Sequence, residues 1–224
     1  MKKKILIIAV AACLLALTIA GTSIAYFTDT DAATNVFTVG KVEIQLTEAK
    51  VEVDADNWNI VKTSPEARVA STGIDYKSIR TLWPGQNIAK DPRIENIGSE
   101  KAYVGAVITV KNVQALLATD EARAAFFDGG AIDDGENTVN WVINGNDLII
   151  FIIVDEALDA KNNTTVDSVD LFTSINIDEN WNNDNMAMFA DFAIEINAYA
   201  TQEAGFGDAV TAITTAFPGV FVTN

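Results

Sequence analysis

Residues 138–154 read TVNWVINGNDLIIFIIV, and this stretch decides the fold class. Apolar runs on both sides of Asn144-Gly145 predict a β-hairpin, because Asn-Gly is the strongest short-range hairpin signal. The second run, from Leu148 to Val154, is too short to cross a membrane as a helix and too apolar for a strand with one wet face. We therefore predict a central strand that is covered on both faces.

Other stretches with apolar residues at every second position extend this sheet pattern. They predict strands at residues 36–53, 88–96, 102–110 and 189–201. The loop Asn96-Ile97-Gly98-Ser99 separates two of these strands, so we expect them to form a second hairpin. Residues 54–73 are mostly polar and contain a proline, which predicts an irregular loop.

Two short helices complete the predicted fold. Thr119 precedes an acidic first turn in residues 119–127, which is typical of a capped helix. Asp208 predicts the start of a closing helix, and Pro218-Gly219 predicts its end. Many short strands, two or three short helices and no β-α-β rhythm predict a mainly β protein. We expect an antiparallel jelly-roll-like β-sandwich.

Charge and composition exclude several classes of function. The 224 residues include 15 basic and 31 acidic side chains, for a net charge of −16, and no histidine. Nucleic-acid binding requires clustered Lys and Arg, so we predict no nucleic-acid partner. Without histidine the chain lacks the commonest general base and zinc ligand, so Ser-His-Asp triads and His-Glu-x-x-His sites are excluded. We predict no enzyme and no catalytic residue.

The N-terminal residues have the pattern of a secretory signal peptide. Three lysines at positions 2–4 precede an apolar run at residues 5–20, and small residues follow at Ser23 and Ala25. We predict that a signal peptidase cuts between Ala25 and Tyr26. Residues 1–25 would then leave, and residues 26–224 would form a single exported domain in the extracellular matrix or at the cell surface.

Two alternatives remain for the same N-terminal residues. An uncleaved segment at residues 5–25 is long enough to anchor the protein in a membrane. The sequence up to Cys13 also loosely matches a lipidation site. If cleavage precedes Tyr26, Cys13 is removed and the mature domain is held together without a disulfide.

Three acidic, amide-rich stretches are candidates for calcium binding, since hard cations prefer clustered oxygen ligands. They lie at residues 54–59, 128–137 and 178–185. None fits the D-x-[DN]-x-[DN]-G pattern of a calcium loop, and Asp, Asn and Gly also favour ordinary turns. We predict no cofactor and no metal ligand, with calcium as the open alternative.

Residues 21–48, GTSIAYFTDTDAATNVFTVGKVEIQLTE, resemble the start of the TasA/camelysin family of exported proteins. In that family a specialised signal peptidase cuts before an aromatic residue, and Phe-x-Asp and Asn-x-Phe-x-x-Gly motifs follow. The counterparts here are Tyr26, then Phe27 with Asp29, then Asn35 with Phe37 and Gly40. Residues 82–104 and 190–206 are also similar to the family.

This resemblance implies a jelly-roll β-sandwich that acts as a subunit of biofilm-matrix fibres. It implies assembly by donor-strand exchange, in which the freed residues 26–40 of one subunit insert into the sheet of the next. Pairing with an open sheet edge would satisfy the backbone groups of this segment, and head-to-tail joining would produce filaments. The implied subunit-contact residues are Tyr26, Phe27, Asp29, Asn35, Val36, Phe37 and Gly40.

Other interpretations of the sequence stay open. The N-terminal segment could fold back on its own domain as an ordinary first strand. Camelysin carries a metalloprotease label, although a zinc site in this chain would rest on carboxylates alone. The third alternative is a monomeric surface module. Beyond the signal peptidase and further copies of the chain, the candidate partners are the cell wall and other matrix components.

Overall fold

The computed structural model describes residues 40–56, 59–64, 68–70, 82–113, 115–188 and 192–222. In chain order its strands are β1 (Ile44–Ala49), β2 (Val51–Val53), β3 (Ile60–Lys62), β4 (Arg68–Ala70), β5 (Asn87–Ala89), β6 (Arg93–Asn96), β7 (Ala102–Val110), β8 (Phe127–Asp128), β9 (Thr138–Asn144), β10 (Asp147–Ile153), β11 (Asp167–Asp170), β12 (Ser174–Asn176) and β13 (Ile194–Gln202). The helices are α1 (Asp120–Phe126), α2 (Asn183–Met188) and α3 (Ala209–Ala216). The predicted mainly β class is confirmed.

The predicted hairpin forms one side of an antiparallel sheet, which we call sheet III, with β10 inside the sheet and β9 at its edge. Its strand order is β13-β7-β10-β9. Gly145 adopts a φ of 63° in the turn between β9 and β10, a conformation that glycine adopts without steric cost. One face of β10 packs into the main core through Ile150, and the other contacts a second apolar cluster through Phe151. The prediction of a central strand covered on both faces is confirmed.

Two further sheets form the layer that faces sheet III. Sheet I has the order β11-β6-β1-β4, and sheet II has the order β2-β3-β5-β12-β8. The chain passes directly between these sheets at β1 to β2, β5 to β6 and β11 to β12. Residues of all three sheets meet in one core cluster, for example Ile94, Ile88 and Ile108. The sandwich prediction is confirmed, with one parallel pairing between β3 and β5.

The structure corrects four predictions about the first half of the chain. The predicted strand at residues 36–53 is divided, from residue 44 onward, into β1 in sheet I and β2 in sheet II. Residues 88–96 form two strands in different sheets, and the predicted loop at residues 54–73 contains β3 and β4. The predicted hairpin around Asn96 is also wrong, because β6 belongs to sheet I and β7 to sheet III. The side-chain Nδ2 of the buried Asn96 donates to the carbonyl oxygens of Leu158 and Asp159, and its Oδ1 accepts from the Gly98 backbone amide. These bonds hold the chain where it crosses between the layers.

A buried carboxylate stabilises the bend between β5 and β6. Asp91 accepts hydrogen bonds from the Ala49 amide at 2.8 Å and from Arg68 Nη1 at 2.9 Å, and Lys62 Nζ lies 2.8 Å from its Oδ2. Burial raises the pKa of Asp91, but the bonds from Lys62, Ala49 and Arg68 outweigh it and bring this pKa below 3.8. Nearby, the buried pair Lys90 and Glu48 forms a second ionic contact.

Both predicted helices are present. The Thr119 hydroxyl accepts from the Ala122 amide at the start of α1, and Asp208 accepts from the Thr211 amide at the start of α3. Helix α3 packs with Phe221 on the outer face of sheet III, so this sheet is covered on both sides. In the part of the chain that the structure describes, no helix has the length and apolar character needed to span a membrane.

Candidate functional site

The backbone of β13 leaves one edge of sheet III open. The Lys111 amide donates to the Ala193 carbonyl and the Glu203 amide donates to the Lys101 carbonyl, so odd-numbered residues of β13 bond towards β7. Because antiparallel strands alternate, the backbone groups of the even-numbered residues point the opposite way. No strand among the described residues pairs with that edge.

The same even-numbered residues carry an apolar row that is only half-buried. Ile194, Ile196, Ala198 and Ala200 pack against the main core, as strand side chains at every second position share one face. Strand β1 lies opposite and contributes two more half-buried residues to the same cluster. We call this set the β13 margin, and its residues are Ile44, Leu46, Ile194, Ile196, Ala198 and Ala200.

The β13 margin has the properties of a strand acceptor. Its outward N–H and C=O groups offer a template for backbone pairing. Its side chains would be fully covered by a neighbouring strand, which removes apolar surface from water. Ala198 and Ala200 are small, so larger apolar side chains on an added strand would have room above them.

The N-terminal segment joins the domain at a closely packed contact. The Lys41 amide donates to Ser99 Oγ at 3.0 Å, and the Ser99 amide donates to the Lys41 carbonyl at 2.9 Å. A Cβ at Gly98 would clash with the Lys41 carbonyl, and a Cβ at Gly40 would clash with the Glu100 side chain. Glycine at position 98 therefore permits this close approach of two backbone segments, whereas the exposed Glu100 side chain could move away from a Cβ at position 40.

This contact lies beside one end of the β13 margin. Two residues after Ser99, the Lys101 carbonyl accepts a hydrogen bond from Glu203, which directly follows β13. Residues 26–39 would span roughly 45–50 Å when extended. The nine residues of β13 span about 30 Å. The segment is thus long enough to line a complete margin, either its own or that of a neighbour.

Most residues predicted to form the site lie outside the described residues. These are Ala25, Tyr26, Phe27, Asp29, Asn35, Val36 and Phe37. Gly40 is described and exposed, at the contact with Glu100. The sequence analysis did not identify the open edge and half-buried row of β13. The signal for it was the series Ile194, Ile196, Ala198, Ala200, in which the apolar row changes from large to small.

The calcium candidates serve local turns where the structure describes them. Asp134 Oδ1 accepts from the Glu136 amide at 3.0 Å, and Asp178 Oδ1 accepts from the Asn180 amide at 2.8 Å. Across the described ranges, no group of three or more acidic or cysteine side chains could hold a metal ion. Two residues of the first candidate stretch, positions 57–58, lie outside those ranges.

Comparison with known proteins supports the resemblance noted in the sequence. Residues 1–60 match the family model described as camelysin metallo-endopeptidase. The matched part ends at Ile60, the first residue of β3, and contains Gly40 and all of β1. The match confirms the resemblance to the TasA/camelysin family in this part and supports a TasA/camelysin-type extracellular protein. No curated protein sequence matches the chain.

Proposed function

We propose that this TasA/camelysin-type protein is secreted and forms extracellular fibres of the biofilm matrix by donor-strand exchange. Residues 26–39 of one subunit pair with β13 of the next and cover its margin. The observation that carries this proposal is the coincidence on β13 of a half-buried apolar row and outward-pointing backbone groups. An added strand satisfies both at once.

The energetic balance favours a segment that is attached to the domain. Burying an isoleucine completely contributes about 2 kcal/mol, whereas ordering each backbone residue costs about 1–2 kcal/mol. A free peptide would bind weakly, but tethering at Gly40 raises its effective concentration near a margin. Its own margin and a neighbour's offer the same contacts, so protein concentration decides between the closed monomer and the filament.

Signal-peptide cleavage is the step that frees this segment in our proposal. A segment with one free end can enter a margin lengthwise, whereas a segment held at both ends cannot. We expect the secreted protein to begin at Tyr26. N-terminal sequencing of the secreted form measures this directly, and a protein that keeps residues 1–25 would contradict the step.

Deleting residues 26–39 tests the assembly itself. We expect the secreted protein to form filaments by electron microscopy and the shortened protein to form none. The shortened protein should keep the β-rich far-UV circular dichroism spectrum, because the core of the described residues is made without that segment. Filaments that persist after the deletion would contradict strand exchange.

A second candidate function is a surface metallo-endopeptidase, favoured by the description of the matching family model. The chain has no histidine, and its one cysteine lies at position 13, before the predicted cleavage. We therefore expect the secreted protein not to cleave casein. Cleavage that a chelator abolishes would favour the peptidase, and a persistent monomer that binds glycans would favour a surface-binding module.

A further inference from the structure

Strand β9 forms the other edge of sheet III, and its backbone also faces outward. The Val154 amide donates to the Val104 carbonyl, so in the β7–β10 pairing the even-numbered residues of β10 hydrogen-bond to β7 and the odd-numbered ones face β9. The β9–β10 register then directs the backbone groups of Asn140 and Val142 towards β10. Those of Val139, Trp141 and Ile143 point away from the sheet, and in the described ranges no strand pairs with them.

This edge lacks the features that keep free strands from associating. Exposed edges are normally protected by charged side chains, proline or a bulge. The sequence of β9 is TVNWVIN, with no charge, proline or glycine, in a chain with 31 acidic residues. Ile143 is 40% exposed on it. On β13, by contrast, Glu195 is exposed.

We propose that β9 pairs in antiparallel fashion with β9 of a second copy of this chain. The pairing that uses all three outward-facing residues places Trp141 opposite its equivalent on a two-fold axis. Val139 of each copy then lies opposite Ile143 of the other. In this register each pair formed by the outward-facing residues is hydrogen-bonded through groups that are otherwise exposed at the edge.

The charge of the protein argues for this occupant. Two copies of a chain with a net charge of −16 repel each other, and like charges opposed across strands destabilise a pairing. Because β9 carries no charge, two copies can pair through it without placing like charges opposite each other, while the rest of their surfaces still repel. A basic partner would find no carboxylate on β9 itself, and of the two carboxylates that line the cavity beside Trp141, Asp120 already pairs with Arg123.

The side chains of β9 fit this arrangement. Val139 and Trp141 already pack against the main core, and the Arg123 guanidinium lies 5.3 Å from the centre of the Trp141 ring. A cavity of about 210 Å³ beside Trp141 leaves room for side chains of the second copy. Val139 of that copy would cover the exposed Ile143. The two copies of sheet III would become one sheet that runs through both subunits.

This contact differs in symmetry from strand exchange. It is a closed two-fold contact, whereas strand exchange is an open head-to-tail contact. Together they would join two filaments side by side. Because β9 and β13 are opposite edges of the sheet, the two contacts form independently.

Cysteine crosslinking tests the proposed register. The protein is expressed from the full sequence with Cys13→Ser and purified after secretion, so it carries no native thiol whether or not residues 1–25 are removed. The double variant Val139→Cys, Ile143→Cys places the two positions of different copies about 5.5 Å apart between Cα atoms, within disulfide reach. On mild oxidation we expect at least ten times more covalent dimer from it than from either control.

The controls distinguish a crosslink formed in the proposed register from one formed by chance collision of two copies. Ile143→Cys alone has no thiol opposite it in this register, and Val166→Cys has the same 40% exposure but lies in a loop outside β9. Dimer from the double variant at or below the level of these controls would overturn the proposal. That result is also the one expected if another segment occupied the β9 edge.

A charge substitution gives a second, non-covalent measurement. Ile143→Lys should make paired filaments single in electron micrographs, and Val166→Lys should leave them paired. Filaments that stay paired with Ile143→Lys would contradict the proposal. If the covalent dimer forms but filaments do not, strand exchange fails and the β9 contact stands.

Discussion

Asp91 links three parts of the fold through one buried carboxylate. Its side chain is 3% exposed and contacts β3 through Lys62, β4 through Arg68 and β1 through the Ala49 amide. Strand β4 has only three residues, so these polar contacts provide much of its attachment to sheet I. We infer that the ion pairs are structural: they hold β4 against β1 and connect β3 to the same buried carboxylate.

Replacing Asp91 should reveal this role in a pH-dependent way. We expect Asp91→Asn to lower the free energy of unfolding by about 3 kcal/mol at pH 7, because it removes the buried carboxylate that pairs with Lys62 and with the largely covered Arg68. The pKa of Asp91 is lowered by folding, so its contribution is complete above an unfolded pKa of about 3.9 and is lost as pH falls through the folded value. The difference between the proteins should therefore shrink below pH 4.

Urea unfolding at pH 7, 4 and 3 measures that difference. Asp159→Asn is the matched control, because Asp159 pairs with Lys101 at the surface with its side chain 76% exposed. Such exposed pairs contribute little. Equal effects of the two substitutions at pH 7, or a constant difference across the pH range, would contradict the assignment.

Gly105 in β7 makes room for the C-terminal residues. A Cβ at this position would lie 3.0 Å from the Phe221 ring and 3.0 Å from the Ile152 carbonyl oxygen. We expect Gly105→Ala to cost about 1–3 kcal/mol of stability through overpacking. In a Phe221→Ala background one of the two obstructions is gone, so the cost should be smaller. Thermal unfolding of the unchanged protein, the two single variants and the double variant tests this. Equal losses of stability from Gly105→Ala in both backgrounds would contradict a clash with Phe221.

At the scale of elements, β13 offers a direct test of strand acceptance. We expect Ala198→Pro to abolish filaments without unfolding the protein, because the lost N–H points away from β7. The control Ala198→Ser keeps that N–H and should assemble normally. Electron microscopy gives the assembly and circular dichroism gives the fold. Filaments formed by a folded Ala198→Pro protein would contradict pairing at this edge.

The elements that sequence analysis predicted correctly depend on local signals. The Asn144-Gly145 turn and the caps at Thr119 and Asp208 act within a few residues, so the β9–β10 hairpin and both helices were predictable. The layer crossing at Asn96 depends on carbonyls some 60 residues later in the chain, which no local pattern indicates. The alternation of apolar and polar residues predicts a strand but does not show whether that strand lies at the edge of a sheet. The β13 margin could therefore be identified only from the structure.

For the whole molecule, charge should control assembly. The net charge is −16 and becomes −19 if the three N-terminal lysines leave with the signal peptide. Subunits in a filament repel each other, and salt shortens the reach of that repulsion from about 30 Å at 0.01 M to about 8 Å at 0.15 M. We expect faster filament growth at the higher salt concentration.

Light scattering at fixed protein concentration measures this growth. Ala198→Pro serves as the control, because a protein without an acceptor edge should not assemble at either salt concentration. Growth that is independent of salt, or slower at 0.15 M, would contradict a repulsive barrier.

The attachment of Gly40 and Lys41 to the turn at Ser99 has a mechanical consequence in a fibre. Tension applied along the fibre would arrive at the first residue of the domain and pass into β1, which is paired with β6 over its first four residues and with β4 over its last three. A pull along the axis of β1 loads these bonds together in shear rather than one after another. Because the load is shared among these bonds, no single bond would break first, and the subunit would resist stretching.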